Sequence, residues 1–115
     1  MPKRNEACVF CRIAARKVPA TYYYETGDVI AIKNIRPFTP VHVLVIPIKH
    51  IAEITSLEDA DMRVVKEMMF VMKKLIRDFQ LDTKGYRVVI NGGGAQEIQH
   101  LHLHLMGPVA VDRAM

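Results

Sequence analysis

The stretch His100-Leu101-His102-Leu103-His104-Leu105-Met106 decides the fold, because histidine and apolar residues alternate along it. Side chains on a β-strand point alternately to opposite faces, so the three histidines would share one face and the three leucines the other. With a rise of about 3.3 Å per residue, neighbouring imidazoles would lie about 6.6 Å apart. We therefore predict a strand over 100–106 that packs its leucines into a core and carries imidazoles on its other face.

A row of imidazoles indicates chemistry, because an imidazole titrates near neutral pH and can act as nucleophile, acid, base or metal ligand. One interpretation is a zinc-hydroxide site, which needs three protein ligands and an open fourth position. The other is a nucleophilic histidine whose neighbours neutralise a developing oxyanion. The histidine strand alone does not choose between these two kinds of site.

The length and the charge of the chain exclude several classes of protein. A chain of 115 residues predicts a single domain over 1–115. The net charge is +4, but the lysines and arginines are scattered, which argues against a nucleic-acid partner. The chain has no run of eighteen apolar residues, so we expect no membrane helix. The polar start of the chain lacks a signal-peptide core, which predicts a cytoplasmic protein.

The remaining elements follow from hydrophobic patterning. The pattern predicts strands over 22–25, 29–33, 41–46 and 86–91, a short helix over 12–18, and a turn over 82–85. A long helix should begin within 55–59, at a capping box of Thr55 with Glu58 or Ser56 with Asp59, and run to about Gln80. Phe70 falls among the charges of this helix, which indicates a subunit contact.

Three further features lie outside that pattern. Cys8 and Cys11 have too little chain before them for a thioredoxin-like strand, so they are either free thiols or half of a four-ligand zinc site. His42, on a Val/Ile-rich strand, is either a core residue or a neighbour of the histidine strand, and we favour the second. The glycines at 92–94 form either a ligand-binding loop or an ordinary hairpin loop.

Together these residues resemble the histidine triad (HIT) superfamily, in its Hint-like branch with an N-terminal zinc knuckle. The stretch over 100–106 is similar to the motif His-φ-His-φ-His-φ-φ that names the superfamily. The likeness extends to Cys8-Val-Phe-Cys11, to Val41–Pro47 with Lys49-His50, and to the loop from Asn91 to Gln96. It covers nearly the whole chain.

The resemblance implies an α+β fold with a five-stranded antiparallel sheet, one long helix and one short helix. It also implies a homodimer in which the two sheets join. The implied activity is hydrolysis or transfer of purine nucleoside monophosphates, AMP-like or GMP-like, from phosphoramidates through a covalent nucleotidyl-histidine. The alternatives are a diadenosine polyphosphate hydrolase and a nucleotide-binding interaction module without catalysis.

The resemblance also implies a role for each site residue. His102 would be the nucleophile, with its other ring nitrogen donating to a backbone carbonyl, His104 would face the scissile phosphate, and His42 would support both. The substrate would be held by a second set of residues. Asn34 and Ile35 would contact the ribose and the base. The phosphate side would be contacted by Asn91, Gln96 and Glu97. Relatives often carry Asp at the position of Asn34 and Ser at that of Glu97.

His100 has two implied roles. As the first histidine of the motif it would belong to the catalytic row. In zinc-bearing relatives the matching residue instead joins two cysteines and a further histidine as a metal ligand. The ligands would then be Cys8, Cys11, His50 and His100, which is a closed tetrahedral S₂N₂ set typical of structural zinc.

Overall fold

The computed structural model describes residues 6–111 and shows one antiparallel sheet of five strands in the order β1-β2-β3-β5-β4. The strands are β1 Tyr22–Glu25, β2 Val29–Lys33, β3 Val41–Pro47, β4 Arg87–Ile90 and β5 Leu103–Gly107. The helices are α1 Val9–Ala14, α2 Met62–Asp78 and α3 Leu81–Lys84, with 3₁₀ turns at Ile54–Ser56 and Asp59–Asp61. The predicted α+β fold is confirmed, and within 6–111 no helix is long and apolar enough to cross a membrane.

The two faces of the sheet are covered by different elements. Helix α2 covers one face, and Val43 and Leu105 are fully buried beneath it in the larger core. The other face packs Leu44 and neighbouring aliphatic side chains against α1 and its Phe10. Because Val43 pairs with Leu105 and Leu44 with His104, the leucines of β5 face α2 while His104 faces the side of α1. The predicted separation of leucines and histidines therefore holds for β5.

The histidine strand is shorter than predicted, since β5 begins at Leu103 rather than at residue 100. The chain before it is held by irregular hydrogen bonds, from the Leu101 amide to the Ile51 carbonyl and from the His100 amide to the Ile98 carbonyl. These bonds take the backbone of residues 100 and 101 out of the β-ladder.

The long helix was predicted to begin within 55–59 and begins at Met62. Asp61 explains the later start, because its carboxylate accepts from the Glu58 amide at 3.0 Å and from the Lys49 ammonium at 2.6 Å. These bonds hold Asp59–Asp61 in a separate 3₁₀ turn, so both predicted capping boxes are wrong. The short helix is also displaced toward the N-terminus, to Val9–Ala14.

Three smaller expectations also differ from the structure. The predicted turn over 82–85 is mostly a short helix, α3, which ends at Gly85 with φ +89°. The strand predicted over 86–91 is shortened to Arg87–Ile90. The short helix predicted over 12–18 cannot extend that far, because Arg16 adopts the left-handed conformation with φ 62°.

The Lys49–Asp61 ion pair ties the end of β3 to the start of α2, and Asp61 is buried. We predict that Asp61→Asn lowers the free energy of unfolding by about 1–3 kcal/mol, because a buried acceptor of two hydrogen bonds is weakened. The pKa of Asp61 is lowered by the hydrogen bond from Lys49. The contribution of Asp61 to the free energy of unfolding is therefore fully present above its pKa in the unfolded chain, about 3.9. This contribution is lost as the pH falls through its lower pKa in the folded protein.

Urea denaturation at pH 7 and pH 3 measures this effect. Asp59→Asn is the matched control, because Asp59 is exposed on the same turn and should change stability by less than about 0.5 kcal/mol. Equal stability of the two variants at pH 7 would contradict the assigned role of Asp61.

Candidate active site and metal centre

Three histidines form a row on the α1 side of the sheet. His42 on β3 and His104 on β5 approach each other with Nε2 and Nδ1 2.9 Å apart. The ring of His104 lies 4.9 Å from that of His102, centroid to centroid. The predicted placement of His42 beside the histidine strand is confirmed. The row therefore runs His42, His104, His102, and it lies on a sheet face whose other residues are aliphatic.

The protonation of His102 follows from its backbone contact. Its Nδ1 lies 2.7 Å from the carbonyl oxygen of His100, and a carbonyl only accepts, so Nδ1 carries the hydrogen. The other ring nitrogen, Nε2, then has a free lone pair in the neutral ring. The expected backbone-carbonyl partner is confirmed, and His102 is oriented as a nucleophile requires.

The tautomers of the other two rings follow in the same way. The backbone N–H of Phe38 donates to Nδ1 of His42 at 3.1 Å, so the hydrogen of neutral His42 is on Nε2 and is donated to Nδ1 of His104. The hydrogen of His104 is then on its own Nε2. His104 therefore presents an N–H donor from the end that faces away from His42.

Burial keeps these two rings uncharged. Burial, with smaller contributions from His102 and His42, lowers the pKa of His104 to about 4. Burial also lowers the pKa of His42. At neutral pH His42 and His104 are thus neutral donors and acceptors, which suits stabilisation of a phosphate that already carries negative charge.

A second cluster contains Cys8, Cys11, His50 and His100, whose donor atoms all lie within 4.8 Å of one another. Nδ1 of His100 is 3.3 Å from the Cys8 sulfur and 3.6 Å from the Cys11 sulfur, and the Cys11 sulfur is 3.3 Å from Nδ1 of His50. Ligand atoms of tetrahedral zinc are about 3.3–3.8 Å apart, given bond lengths of about 2.0–2.3 Å. The four residues therefore fit a tetrahedral metal ion without rearrangement of the fold.

His100 belongs to this cluster rather than to the catalytic row. Its Nε2 donates to the Pro47 carbonyl at 2.7 Å, which leaves the lone pair of Nδ1 directed at the two sulfurs. Burial lowers its pKa to about 4, so the ring is neutral, as a metal ligand must be. His100 lies on the same α1 side as the other two motif histidines, since Phe10 contacts the rings of both His100 and His102. Of the two roles that the resemblance implies for His100, the role as a ligand agrees with the geometry.

Sequence reasoning did not assign Phe10 a role. Its buried ring makes edge contacts with His102 at 5.0 Å and with His100 at 5.8 Å. The position of Phe10 between the two cysteines could have indicated this contact, because a metal site that includes Cys8 and Cys11 would bring Phe10 close to the histidines. Phe10 therefore packs between the metal centre and the row.

The structure places the predicted substrate-binding residues at different distances from the row. Asn34 follows β2, and its Nδ2 lies 3.2 Å from Nε2 of His42. Ile35 beside it is 89% exposed. Gln96 is buried and donates to the Ala52 carbonyl, while Glu97 is exposed and Asn91 half-buried. Asn34 thus contacts a histidine of the row, whereas Gln96 is held by the segment after β3.

The glycine loop adopts the backbone conformation that its sequence suggested. Gly93 and Gly94 have φ of 63° and 90°, which residues with a Cβ rarely adopt. The amide of Gly93 faces a carboxylate oxygen of Glu53 at 3.4 Å, a residue that the sequence did not single out. The loop therefore already directs a backbone donor at an anionic group.

Comparison with known proteins gives the same family throughout. The family model described as "Scavenger mRNA decapping enzyme C-term binding" matches residues 7–114. Protein HitA of Neisseria gonorrhoeae is 36% identical over 102 residues, which are 87% of this chain and 94% of HitA.

Two solved structures show the same architecture. The HIT family hydrolase from Legionella pneumophila Philadelphia 1 is 41% identical with a TM-score of 0.85, over 92% of this chain and 96% of that chain. A Zn-bound histidine triad family protein from Mycobacterium smegmatis is 34% identical with a TM-score of 0.80, over 93% and 78% of the two chains. The fold, the row of histidines and these matches define the class, and the chain belongs to the histidine triad (HIT) family.

Proposed function

We propose that the protein is a nucleotide hydrolase or transferase that cleaves purine nucleoside phosphoramidates through a covalent nucleotidyl-histidine. The observation that carries this proposal is the hydrogen bond from Nδ1 of His102 to the His100 carbonyl, since it leaves Nε2 as a nucleophile. The similarity to a protein named HIT family hydrolase supports the reaction class.

The reaction divides into two displacements at phosphorus. Nε2 of His102 attacks, the bond from phosphorus to the leaving amine breaks, and the amine departs with a proton taken from water, which the water of the second step returns to the solvent. A water molecule then attacks the phosphorus, the bond to Nε2 breaks, and the nucleoside monophosphate is released. A covalent intermediate replaces one difficult step by two easier ones. The N–H of His104 stabilises the charge that develops beside the leaving group, and His42 holds His104 in the required tautomer.

The nucleotide is held at the two sides of the row. We assign Asn34 and Ile35 to the ribose and the base, because Asn34 adjoins His42 and the exposed side chain of Ile35 offers an apolar surface. We assign Asn91, Gln96 and Glu97 to the phosphate side. The Gln96 side-chain oxygen supports this assignment, since it is buried and accepts no hydrogen bond from the described residues.

We also propose that the four-residue cluster holds a structural zinc ion. Its S₂N₂ donor set and closed geometry support this, as does the zinc in the similar protein from Mycobacterium smegmatis. When bound, the ion would tie α1 to His50 and His100. Two buried cysteines that form no disulfide also suit a reducing compartment such as the cytoplasm.

A homodimer is the third part of the proposal. Strand β4 lies at an edge of the sheet, and Val88 and Ile90 pair with leucines that face α2. These two side chains are 38% and 40% exposed, and on α2 Met62 and Met69 are 51% and 46% exposed. Such an edge with an apolar flank favours pairing with a second copy of the chain.

Phe70, which suggested a dimer from the sequence, lies on the other flank of α2. It lines a groove of about 390 Å³ together with Tyr24 and Thr26 of the β1 side. Because β1 and β4 are opposite edges of the sheet, Phe70 does not belong to the apolar flank beside β4. We therefore assign the dimer contact to β4 and the adjoining side of α2.

The first prediction concerns the covalent step. Incubation with an adenosine phosphoramidate followed by rapid quenching should give an AMP adduct on the peptide that contains His102, detected by mass spectrometry. His102→Ala should abolish the adduct and lower turnover on the order of 10³-fold or more. His104→Ala should still form the adduct, but more slowly, and most slowly with poor leaving groups.

A zinc-hydroxide mechanism gives the opposite result, which would overturn the proposal: no adduct, and loss of activity when metal is removed from folded protein. Diadenosine tetraphosphate, assayed beside the phosphoramidate, tests the alternative substrate class. Nucleotide binding without turnover of either compound would instead identify an interaction module.

The second prediction concerns the metal. Protein purified without chelator should contain one zinc ion per chain by elemental analysis, and Cys8→Ser should lose it together with stability, because metal binding is coupled to folding. His102→Ala is the control, since it removes a neighbouring imidazole that is not a ligand and should retain the metal. Metal-free protein that melts at the same temperature as the wild type would show that the cluster is not a zinc site.

The third prediction concerns the dimer. Sedimentation at micromolar concentration should give about twice the chain mass of 13.1 kDa. Met69→Glu should produce monomers, because it places a charge in the apolar contact beside β4. Phe70→Glu is the matched control on the opposite flank and should remain dimeric. The reverse outcome would move the interface to the β1 flank.

A further inference from the structure

Each nitrogen of the His42 ring faces a hydrogen-bond donor. The backbone N–H of Phe38 points at Nδ1 from 3.1 Å. At Nε2 the side-chain amide nitrogen of Asn34 lies 3.2 Å away, beside Nδ1 of His104 at 2.9 Å. A neutral imidazole has one acceptor nitrogen and one N–H group, so it cannot accept from Phe38 and from Asn34 at the same time.

The orientation of the Asn34 amide is fixed by the chain itself. The backbone N–H of Arg36 donates to Oδ1 of Asn34 at 2.8 Å. Rotation of the amide by 180° would replace this acceptor with an NH₂ group and place two donors against each other. The NH₂ group of Asn34 therefore faces His42.

The Phe38 amide decides how the conflict at His42 is resolved, because a backbone N–H can only donate. Nδ1 of His42 is then the acceptor, and Nε2 carries the hydrogen that is donated to His104. In protonated His42 the N–H at Nδ1 would point at the backbone N–H of Phe38, and the N–H at Nε2 would still face the NH₂ group of Asn34. Both contacts oppose the charged form of the ring.

The surroundings of His42 offer no compensating charge. Among the described residues, the side chains that hydrogen-bond to His42 or stack against its ring are Asn34, Phe38 with ring centroids 5.5 Å apart, and His104 with ring centroids 5.1 Å apart. Only His104 among them titrates, and it is itself held neutral. Beyond His104 the next ring in the row is His102. No carboxylate contacts His42 from either strand or from the loop after β2.

We propose that the Phe38 amide keeps His42 in its Nε2–H tautomer, and that Asn34 is a positioning residue whose NH₂ group, facing Nε2, disfavours the charged form of the ring. Together they present His104 as a neutral N–H donor. This inference rests on the proposed function only in assigning His104 to the leaving-group side. Neutral His42 cannot pass its hydrogen to His104 without becoming an anion, so it orients His104 and does not supply a proton. Asn34 thus influences the protonation of the row in addition to its assignment to the ribose.

An aspartate at position 34 would reverse this effect. Its carboxylate could still accept from the Arg36 amide, and its second oxygen would accept from the N–H of His42. An opposite charge within about 4 Å of a histidine stabilises the imidazolium and raises its pKa by about 1–3 units. The substitution therefore changes the charge and the acceptor at one contact while it preserves the volume of the side chain.

Histidine titration by NMR tests the proposal without an activity assay. The wild type should show His42 as the Nε2–H tautomer, with His42→Gln identifying its resonances, and Asn34→Asp should raise the pKa of His42 by about 1–2 units. Asn34→Ala should raise that pKa by less than Asn34→Asp does, because it removes the opposing NH₂ group but adds no charge. Ile35→Asp adds the same charge to the adjoining exposed side chain and should also have little effect, since water screens it.

The pH dependence of kcat/KM gives a second readout. In Asn34→Asp an inflection should appear at the raised pKa of His42, and the wild type should lack that inflection. An unchanged pKa of His42 in Asn34→Asp, or an Nδ1–H tautomer in the wild type, would overturn the proposal. A raised pKa in a protein that cleaves no phosphoramidate would overturn the proposed function and leave this inference standing.

Discussion

The site depends on the three hydrogen-bonding positions of one fully buried residue, His100. Nε2 of its ring donates to the Pro47 carbonyl, Nδ1 faces the sulfurs of Cys8 and Cys11, and its backbone carbonyl accepts from Nδ1 of His102. These contacts join the end of β3, the N-terminal helix and the proposed nucleophile. A residue with every polar group engaged in this way has little freedom to rotate, because each buried group left without a partner costs about 1–3 kcal/mol. The same residue therefore sets both the metal centre and the orientation of His102.

The imidazoles of His42 and His104 act as neutral groups with fixed hydrogen-bonding directions. Burial lowers the pKa of His104 to about 4 and also lowers that of His42, so at neutral pH neither ring attracts phosphate by charge. The row instead presents donors and acceptors whose positions are set by backbone groups. The His100 carbonyl fixes the ring of His102 at one end of the row, and the Phe38 amide fixes the ring of His42 at the other. Preorganised donors of this kind stabilise charge that develops during reaction, because they need no rearrangement at that moment.

Much of this arrangement could be predicted from the sequence, and the exceptions have physical reasons. Alternation of leucine and histidine places Leu105 and His104 on opposite faces, and a polar residue in an apolar strand indicates that His42 lies beside them. The alternation does not reveal that the β-ladder starts only at Leu103. This late start depends on a hydrogen bond from the Leu101 amide to Ile51, a residue fifty positions earlier in the chain. The late start of α2 likewise depends on a tertiary contact, Lys49 with Asp61. The metal ligands were found through a family resemblance, whereas the contact of Asn34 with His42 required the coordinates, because it depends on the path of the loop that follows β2.

The central claim is that the His100 carbonyl holds His102 with its hydrogen on Nδ1 and a free lone pair on Nε2. Nitrogen-15 NMR of histidine-labelled, metal-loaded protein at neutral pH measures this directly, because protonated and bare imidazole nitrogens differ widely in chemical shift. The account predicts that His102, identified by the loss of its signals in His102→Gln, is the Nδ1–H tautomer. A dominant Nε2–H tautomer for His102 would contradict it, since the nitrogen proposed to attack phosphorus would then carry a hydrogen.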